Sequence, residues 1–108
     1  MTFTTQIDSI ASSLRTWLEE EYGSRLKGIY IFGSHARQSA SPDSDVDIAV
    51  VLDVVESRFL ERQRCSEFVS DLSLENDVVI NLVFLGEEEF KSQRYALFRN
   101  IRNEGTPV

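Results

Sequence analysis

The sequence is poor in cysteine, histidine and proline, and it has no long apolar run. A single cysteine, Cys65, excludes an internal disulfide, and 108 residues contain only one histidine and two prolines. No run approaches the ~20 apolar residues of a membrane span, and the N-terminal MTFTTQIDSI lacks the basic start and apolar core of a signal peptide. These absences predict a cytoplasmic protein with no membrane partner. Cys65 is predicted to be a small buried hydrophobic side chain.

Basic residues are also scarce. Eighteen acidic residues against eleven basic ones give a formal net charge of −7, which opposes direct binding to long nucleic acid or to an anionic membrane. The chain is otherwise typical of a globular protein, with 42% hydrophobic and 27% charged residues. Its length is that of one domain, so we expect residues 1–108 to form a single domain.

Apolar periodicity predicts four helices and three strands, and therefore a small sheet covered by helices. The predicted order is a helix from Thr5 to about Leu26, a strand LKGIYIF ending at Phe32, a short helix beginning at Gly33, a strand Asp45–Leu52, a helix from Glu56 to about Leu74, a strand Asp77–Leu85 and a helix Glu87–Glu104. The helix that begins at Glu56 has apolar residues at mostly helical spacing, namely Phe59, Leu60, Phe68, Val69 and Leu72. In the last helix the side chains expected to point inward are Phe90, Leu97, Phe98 and Ile101. Gly105 is the expected stop of the last helix.

Two aspartates interrupt the second predicted strand, DVDIAVVL. Alternation places Asp45 and Asp47 on one face, roughly 6.5 to 7 Å apart along the strand. Two carboxylates this close repel each other unless a cation lies between them. Mg²⁺ suits such a pair, because it prefers oxygen ligands and often combines one or two carboxylates with substrate phosphates. The pair therefore predicts a magnesium site.

A Gly-Ser bend follows the first predicted strand. A strand that ends at Gly33-Ser34 and turns into a helix presents unpaired backbone N–H groups to a phosphate. Gly33 allows close approach of the backbone, and the Ser34 hydroxyl adds a donor. Bend and aspartates together predict a nucleotide site. A common turn beside two solvent-facing aspartates is the alternative interpretation.

The motif Gly33-Ser34, ten residues, then Asp45-x-Asp47 resembles the signature of minimal nucleotidyltransferases in the DNA polymerase beta superfamily. The opening GSHAR is similar to the family's Gly-Ser-x-Ala-Arg, and the resemblance is most specific over Tyr30 to Leu52. It implies an α/β (α+β) fold, a small mixed sheet flanked by helices. It also implies a magnesium-dependent enzyme that transfers a nucleoside monophosphate, with ATP as the leading donor, to a hydroxyl acceptor.

The resemblance implies roles for individual residues and for a partner. Asp45 and Asp47 would bind Mg²⁺ and carry catalysis, while Gly33 and Ser34 would hold the triphosphate. Arg37 would steady the triphosphate or form a surface salt bridge. Small stand-alone relatives imply an antitoxin that adenylylates a paired nuclease of the HEPN type.

The chain departs from the family pattern where a third carboxylate is usual, because Asn81 stands at that point of the third strand. A neutral amide cannot act as a general base, so weak activity is expected. Asp77 is either a replacement metal ligand or a residue at the start of the strand. The alternative function is a degenerate module that keeps the fold and acts by binding its partner.

Overall fold

The computed structural model describes residues 3–33, 45–92 and 95–108. The elements are α1 (Phe3–Tyr22), a 3₁₀ turn (Gly23–Arg25), β1 (Leu26–Phe32), β2 (Val46–Leu52), α2 (Arg58–Asn76), β3 (Ile80–Gly86), α3 (Glu87–Ser92), α4 (Ala96–Glu104) and β4 (Thr106–Pro107). The short helix predicted to begin at Gly33 falls on residues outside the described ranges. No helix within those ranges is long and apolar enough to cross a bilayer.

The four strands form one mixed sheet in the order β3-β2-β1-β4. β2 runs antiparallel to β1 and parallel to β3, so the mixed sheet expected from the resemblance is confirmed. The alternation predicted for β2 is also confirmed. Its residues Val46, Ile48, Val50 and Leu52 belong to the core under α1 and α2, whereas Ala49 packs on the opposite face with Phe98 and Ile101 of α4.

The first helix is shorter than predicted. Its apolar stripe is buried as expected, with Leu14 and Leu18 fully inaccessible. The helix ends at Tyr22 rather than near Leu26, because Gly23 adopts a positive φ of 55° that favours glycine and opens the 3₁₀ turn. The released residues then enter β1 at Leu26.

The buried stripe of α2 does not include the apolar residues of its first turn. Phe59 and Leu60 are 71% and 59% exposed, although both belong to the apolar set at helical spacing. The buried stripe begins with Glu61 and continues through Cys65 and Leu72. Glu61 is held inside by the Tyr22 hydroxyl, which donates a hydrogen bond to its Oε1 at 2.8 Å. Hydrophobic periodicity alone could not reveal a stripe that starts with a carboxylate.

Cys65 lies in the core, as predicted. The side chain is 1% exposed, and burial raises the pKa of its thiol. A thiol that resists ionisation is a poor nucleophile, so Cys65 contributes packing.

The C-terminal region forms two helices where one was predicted. Tyr95 has extended backbone (φ −112°, ψ 149°) and precedes α4, so α3 and α4 are separate helices. Phe98 and Ile101 are buried as expected, but Leu97 is 42% exposed, which corrects its inward assignment. Gly105 ends α4 as predicted, and the chain then adds the unpredicted β4 to the edge of β1.

Candidate active site

Two carboxylates and one amide meet at the N-terminal end of β2. Asp45 immediately precedes the strand, Asp47 is its second residue, and Asn81 of β3 is the direct partner of Asp47 in the parallel register. Asn81 Nδ2 lies 3.2 Å from Asp45 Oδ2 and 3.1 Å from Asp47 Oδ1, and it donates a hydrogen bond to each. The two carboxylates therefore converge, as the strand alternation predicted.

The bend after β1 lies directly against this pair. Phe32 pairs with Asp47 across the antiparallel strands, and Gly33 follows with a φ of 73°. A Cβ placed on Gly33 would lie only 2.5 Å from Asp47 Oδ2. Only glycine combines this positive φ with so close an approach of backbone to carboxylate. A phosphate held by the bend would therefore adjoin any cation held by Asp47.

The remaining predicted site residues are placed differently. Ser34 and Arg37 lie outside the described residues, and their predicted roles stay predictions. Asp77 does not start a strand, which corrects that prediction, because β3 begins three residues later at Ile80. It ends α2 in the left-handed conformation (φ 51°, ψ 47°), and its N–H donates to the Leu74 carbonyl. The alternative role of Asp77 as a metal ligand also stays a prediction.

The electrostatics of the site favour a cation. Within residues 3–33, 45–92 and 95–108, no lysine or arginine forms an ion pair with Asp45 or Asp47. The same residues contain no group of three or more aspartate, glutamate, histidine or cysteine side chains placed to hold a metal ion. Two carboxylates are nevertheless a sufficient protein contribution for Mg²⁺, which commonly completes its shell with water and substrate phosphates. Rotation of the Asn81 amide would turn its oxygen toward the same point. The donor set therefore fits a single magnesium ion.

The contact between Asn81 and both aspartates was not anticipated from the sequence. The prediction treated Asn81 only as a missing charge. In the structure, Asn81 donates hydrogen bonds to both carboxylates with one nitrogen. The sequence could have indicated this contact, because aligning the apolar runs of β2 and β3 as parallel neighbours places Asn81 beside Asp47.

Comparison with known proteins identifies the family. Residues 11–103 match the family model of the nucleotidyltransferase domain. The chain belongs to this family. A protein from Methanocaldococcus jannaschii, provisionally named a protein adenylyltransferase, is 35% identical to this nucleotidyltransferase domain over 89 residues, which are 82% of this chain and 83% of the relative.

Solved structures share the fold of this nucleotidyltransferase domain. A Sulfolobus solfataricus protein, provisionally described as a nucleotidyltransferase, superimposes with a TM-score of 0.69 at 21% identity, covering 97% of this chain and 83% of its own. A chain of the complex between a tri-AMPylated Shewanella oneidensis HEPN toxin and an MNT antitoxin gives a TM-score of 0.54 at 22% identity, covering 88% and 66%. At these identities the likeness concerns the fold, and it supports the predicted nucleotidyltransferase architecture.

Proposed function

We propose that this domain is a magnesium-dependent enzyme that transfers AMP from ATP to a hydroxyl group of a HEPN-type partner protein. The observation that carries the proposal is the convergence of Asp45 and Asp47 on one point beside the Gly33 bend. Family membership supports a nucleotidyl transfer, and a cytoplasmic location, expected from the sequence, is consistent with ATP as donor.

Each group of the site has a role in this reaction. Asp45 and Asp47 would hold Mg²⁺, which when bound neutralises charge on the triphosphate. Gly33 lets the backbone approach the triphosphate, with Ser34 as an added donor and Arg37 as a counter-charge. The acceptor oxygen bonds to the α-phosphorus as the bond to the β-phosphate bridging oxygen breaks. Pyrophosphate leaves, and the acceptor proton passes to solvent or to an aspartate.

Two findings support a protein acceptor. The M. jannaschii relative carries the provisional name of a protein adenylyltransferase. A structural neighbour belongs to a complex in which the HEPN toxin is AMPylated and an MNT antitoxin is bound. Both properties belong to those proteins, and we extend them to this chain as part of the proposal.

The experiment uses two labels of ATP. The purified domain is incubated with Mg²⁺ and the protein encoded by the neighbouring gene, once with ATP labelled at the α-phosphate and once with ATP labelled at the γ-phosphate. AMP transfer predicts label on the partner from α-labelled ATP and none from γ-labelled ATP. Label from the γ-position would indicate phosphoryl transfer, and no label from either would contradict the enzyme hypothesis.

A binding module is the second candidate, and Asn81 is the observation that favours it. The amide occupies the space between the carboxylates with a donor, and it brings no charge for a second cation. A module of this kind would form a stable complex with its partner in gel filtration yet transfer neither label.

A further inference from the structure

Strand β3 forms one edge of the sheet, so its outer side has no neighbouring strand among the described residues. The Val46 N–H donates to the Val79 carbonyl at 2.8 Å, which shows that the backbone groups of Val79 face β2. Backbone groups of successive residues point to alternate sides of a strand. The N–H and carbonyl groups that point to the free edge therefore belong to the even-numbered residues of β3: Ile80, Leu82, Phe84 and Gly86.

Two side chains close this free edge at its C-terminal end. Arg58 Nε donates to the Phe84 carbonyl at 3.1 Å, and Glu89 Oε1 accepts from the Gly86 N–H at 3.1 Å. Arg58 and Glu89 also form a salt bridge with each other. This end of β3 is therefore not free to pair with a further strand.

The stretch Ile80–Leu82, called here the β3 edge, is open. In the part of the chain that the structure describes, no group bonds to the outward N–H and carbonyl groups of Ile80 and Leu82. A depression of about 210 Å³ adjoins this stretch, and all three of its residues line that depression. Unpaired backbone groups beside an accessible space are a template for the addition of another strand.

The β3 edge lies in register with the aspartates. Side chains alternate along β3, so Ile80 and Leu82 point to the core under α2, whereas Asn81 points to the opposite face. On that face Asn81 is the direct neighbour of Asp47. A residue added opposite Asn81 would extend the same row of side chains, at one strand spacing of about 4.8 Å from β3. Its side chain would lie on the aspartate face, with Asn81 between it and Asp47.

The length and charge of the β3 edge favour a short extended segment over a second copy of the chain. The caps leave only a three-residue stretch open, which is little surface to hold two domains together. Two copies would also repel, because each has a formal net charge of −7. An antiparallel segment needs only three residues to form four hydrogen bonds, because its first and third residues each exchange two, with Leu82 and Ile80 respectively.

We propose that the β3 edge pairs in antiparallel fashion with an extended segment of the acceptor protein. The middle residue of that segment lies opposite Asn81 and carries the hydroxyl that receives AMP. The inference rests on the proposed function and adds to it the way in which the acceptor is held.

The test is amide hydrogen exchange, measured by NMR on the ¹⁵N-labelled full chain with a synthetic heptapeptide. The peptide has Val-Tyr-Val at its centre, since both residue types favour strands and tyrosine supplies a hydroxyl, and it has one lysine and one glutamate for zero net charge. Without peptide, the Leu82 amide should exchange faster than the amides of Asn81 and Val83, which face β2. Saturating peptide should slow exchange at Leu82 by about tenfold, and by much more than at its two neighbours.

Two peptides that each carry one N-methyl group provide the matched pair. Methylation of the first valine nitrogen removes a donor to the Leu82 carbonyl and places a methyl group between the strands, so the Kd should rise by about tenfold or more. The tyrosine N–H points away from β3 in the antiparallel arrangement. Its methylation should therefore leave the Kd within about twofold.

Three outcomes would overturn the inference. One is no saturable slowing at Leu82, and another is an equal loss of affinity in the two methylated peptides. The third is protection of Leu82 in the free chain that rises with protein concentration, which would mean that a second copy occupies the β3 edge.

Titration of the same sample with Mg²⁺ and ATP separates failure of this inference from failure of the proposed function. Nucleotide binding without peptide binding would remove only the strand addition. Peptide binding without nucleotide binding would remove the enzyme and leave a protein-binding edge.

Discussion

Strand β2 has aspartates at both ends, and the two ends differ in whether the carboxylate pairs with a positively charged side chain. At its C-terminal end, Asp53 accepts hydrogen bonds from the Val54 N–H at 2.7 Å and from Arg25 Nε at 3.1 Å. At its N-terminal end, Asp45 and Asp47 share one neutral amide, and none of the described residues offers them a cation.

The difference separates an acid that serves the fold from acids available to a ligand. The charge of Asp53 is balanced by Arg25 at the protein surface, and its hydrogen bonds lower the pKa of its carboxyl, the Val54 N–H first and Arg25 second. Asp45 and Asp47 converge, and no lysine or arginine of the described residues pairs with them, so an added divalent cation would neutralise their negative charge. The same residue type on one strand thus has a structural role at one end and a proposed catalytic role at the other.

The strongest test of this difference in role is to neutralise one aspartate at each end of β2. Asp47→Asn should reduce AMP transfer by at least about 100-fold, because it removes half of the charge proposed to hold Mg²⁺. Asp53→Asn should leave the transfer rate within about twofold, because only stability is affected at that end. Transfer of α-labelled phosphate to the partner measures both. Equal losses in the two variants would mean that the ends of β2 do not differ in function.

Two glycines with positive φ allow a test of the bend beside Asp47. Gly33→Ala and Gly23→Ala should each cost about 1 to 2 kcal/mol of unfolding free energy, because both residues adopt left-handed backbone. Only the first introduces a Cβ against Asp47 Oδ2, since Gly23 has no atom within 4 Å of such a Cβ. Gly33→Ala should therefore also lower Mg²⁺–ATP affinity by about tenfold or more.

Urea unfolding and calorimetric titration separate the two effects. Gly23→Ala serves as the control, because it introduces the same backbone strain without a Cβ close to Asp47. Unchanged nucleotide affinity in Gly33→Ala would show that the bend does not take part in the site.

A third carboxylate at position 81 tests whether Asn81 limits Mg²⁺ binding and transfer. Asn81→Asp should raise Mg²⁺ affinity about tenfold and increase the transfer rate, because three carboxylates would surround the cation. Without Mg²⁺ the variant should melt at a lower temperature than the wild type, since the two hydrogen bonds are replaced by repulsion. Calorimetry and thermal melts with and without Mg²⁺ measure these effects.

Asn81→Ala is the control for Asn81→Asp, because it removes the hydrogen bonds without adding charge and should not gain Mg²⁺ affinity. If Asn81→Asp changed neither affinity nor rate, the third ligand would come from elsewhere or would not be needed. Asp77→Asn, which keeps a residue tolerant of the left-handed conformation, would then test the alternative ligand.

The existence of the first three strands and the convergence of the aspartates were predictable, because both follow from a two-residue period. The alternation of β2 fixed which side Asp45 and Asp47 share, and an apolar run on β3 placed Asn81 within reach. Helix limits were less predictable. Gly23 ended α1 early through its dihedral angle, and the buried stripe of α2 includes Glu61, which accepts a hydrogen bond from Tyr22, while Phe59 and Leu60 are exposed. These outcomes depend on tertiary contacts that apolar periodicity does not encode.

The smallest expected effect concerns acid stability at the Asp53 end. Since its hydrogen bonds hold the folded-state pKa of Asp53 below the ordinary value of 3.8, the ionised carboxylate stabilises the fold above that value. The contribution is lost as the pH falls from 3.8 through the folded-state pKa. Asp53→Asn should therefore be slightly less stable than the wild type at neutral pH, and the two unfolding curves should converge in strong acid. Urea unfolding from about pH 7 to about pH 2.5 measures the difference. If the difference in unfolding free energy between the variant and the wild type stayed constant into strong acid, the charge of Asp53 would not stabilise the fold. The structural role assigned to the C-terminal end of β2 would then be wrong.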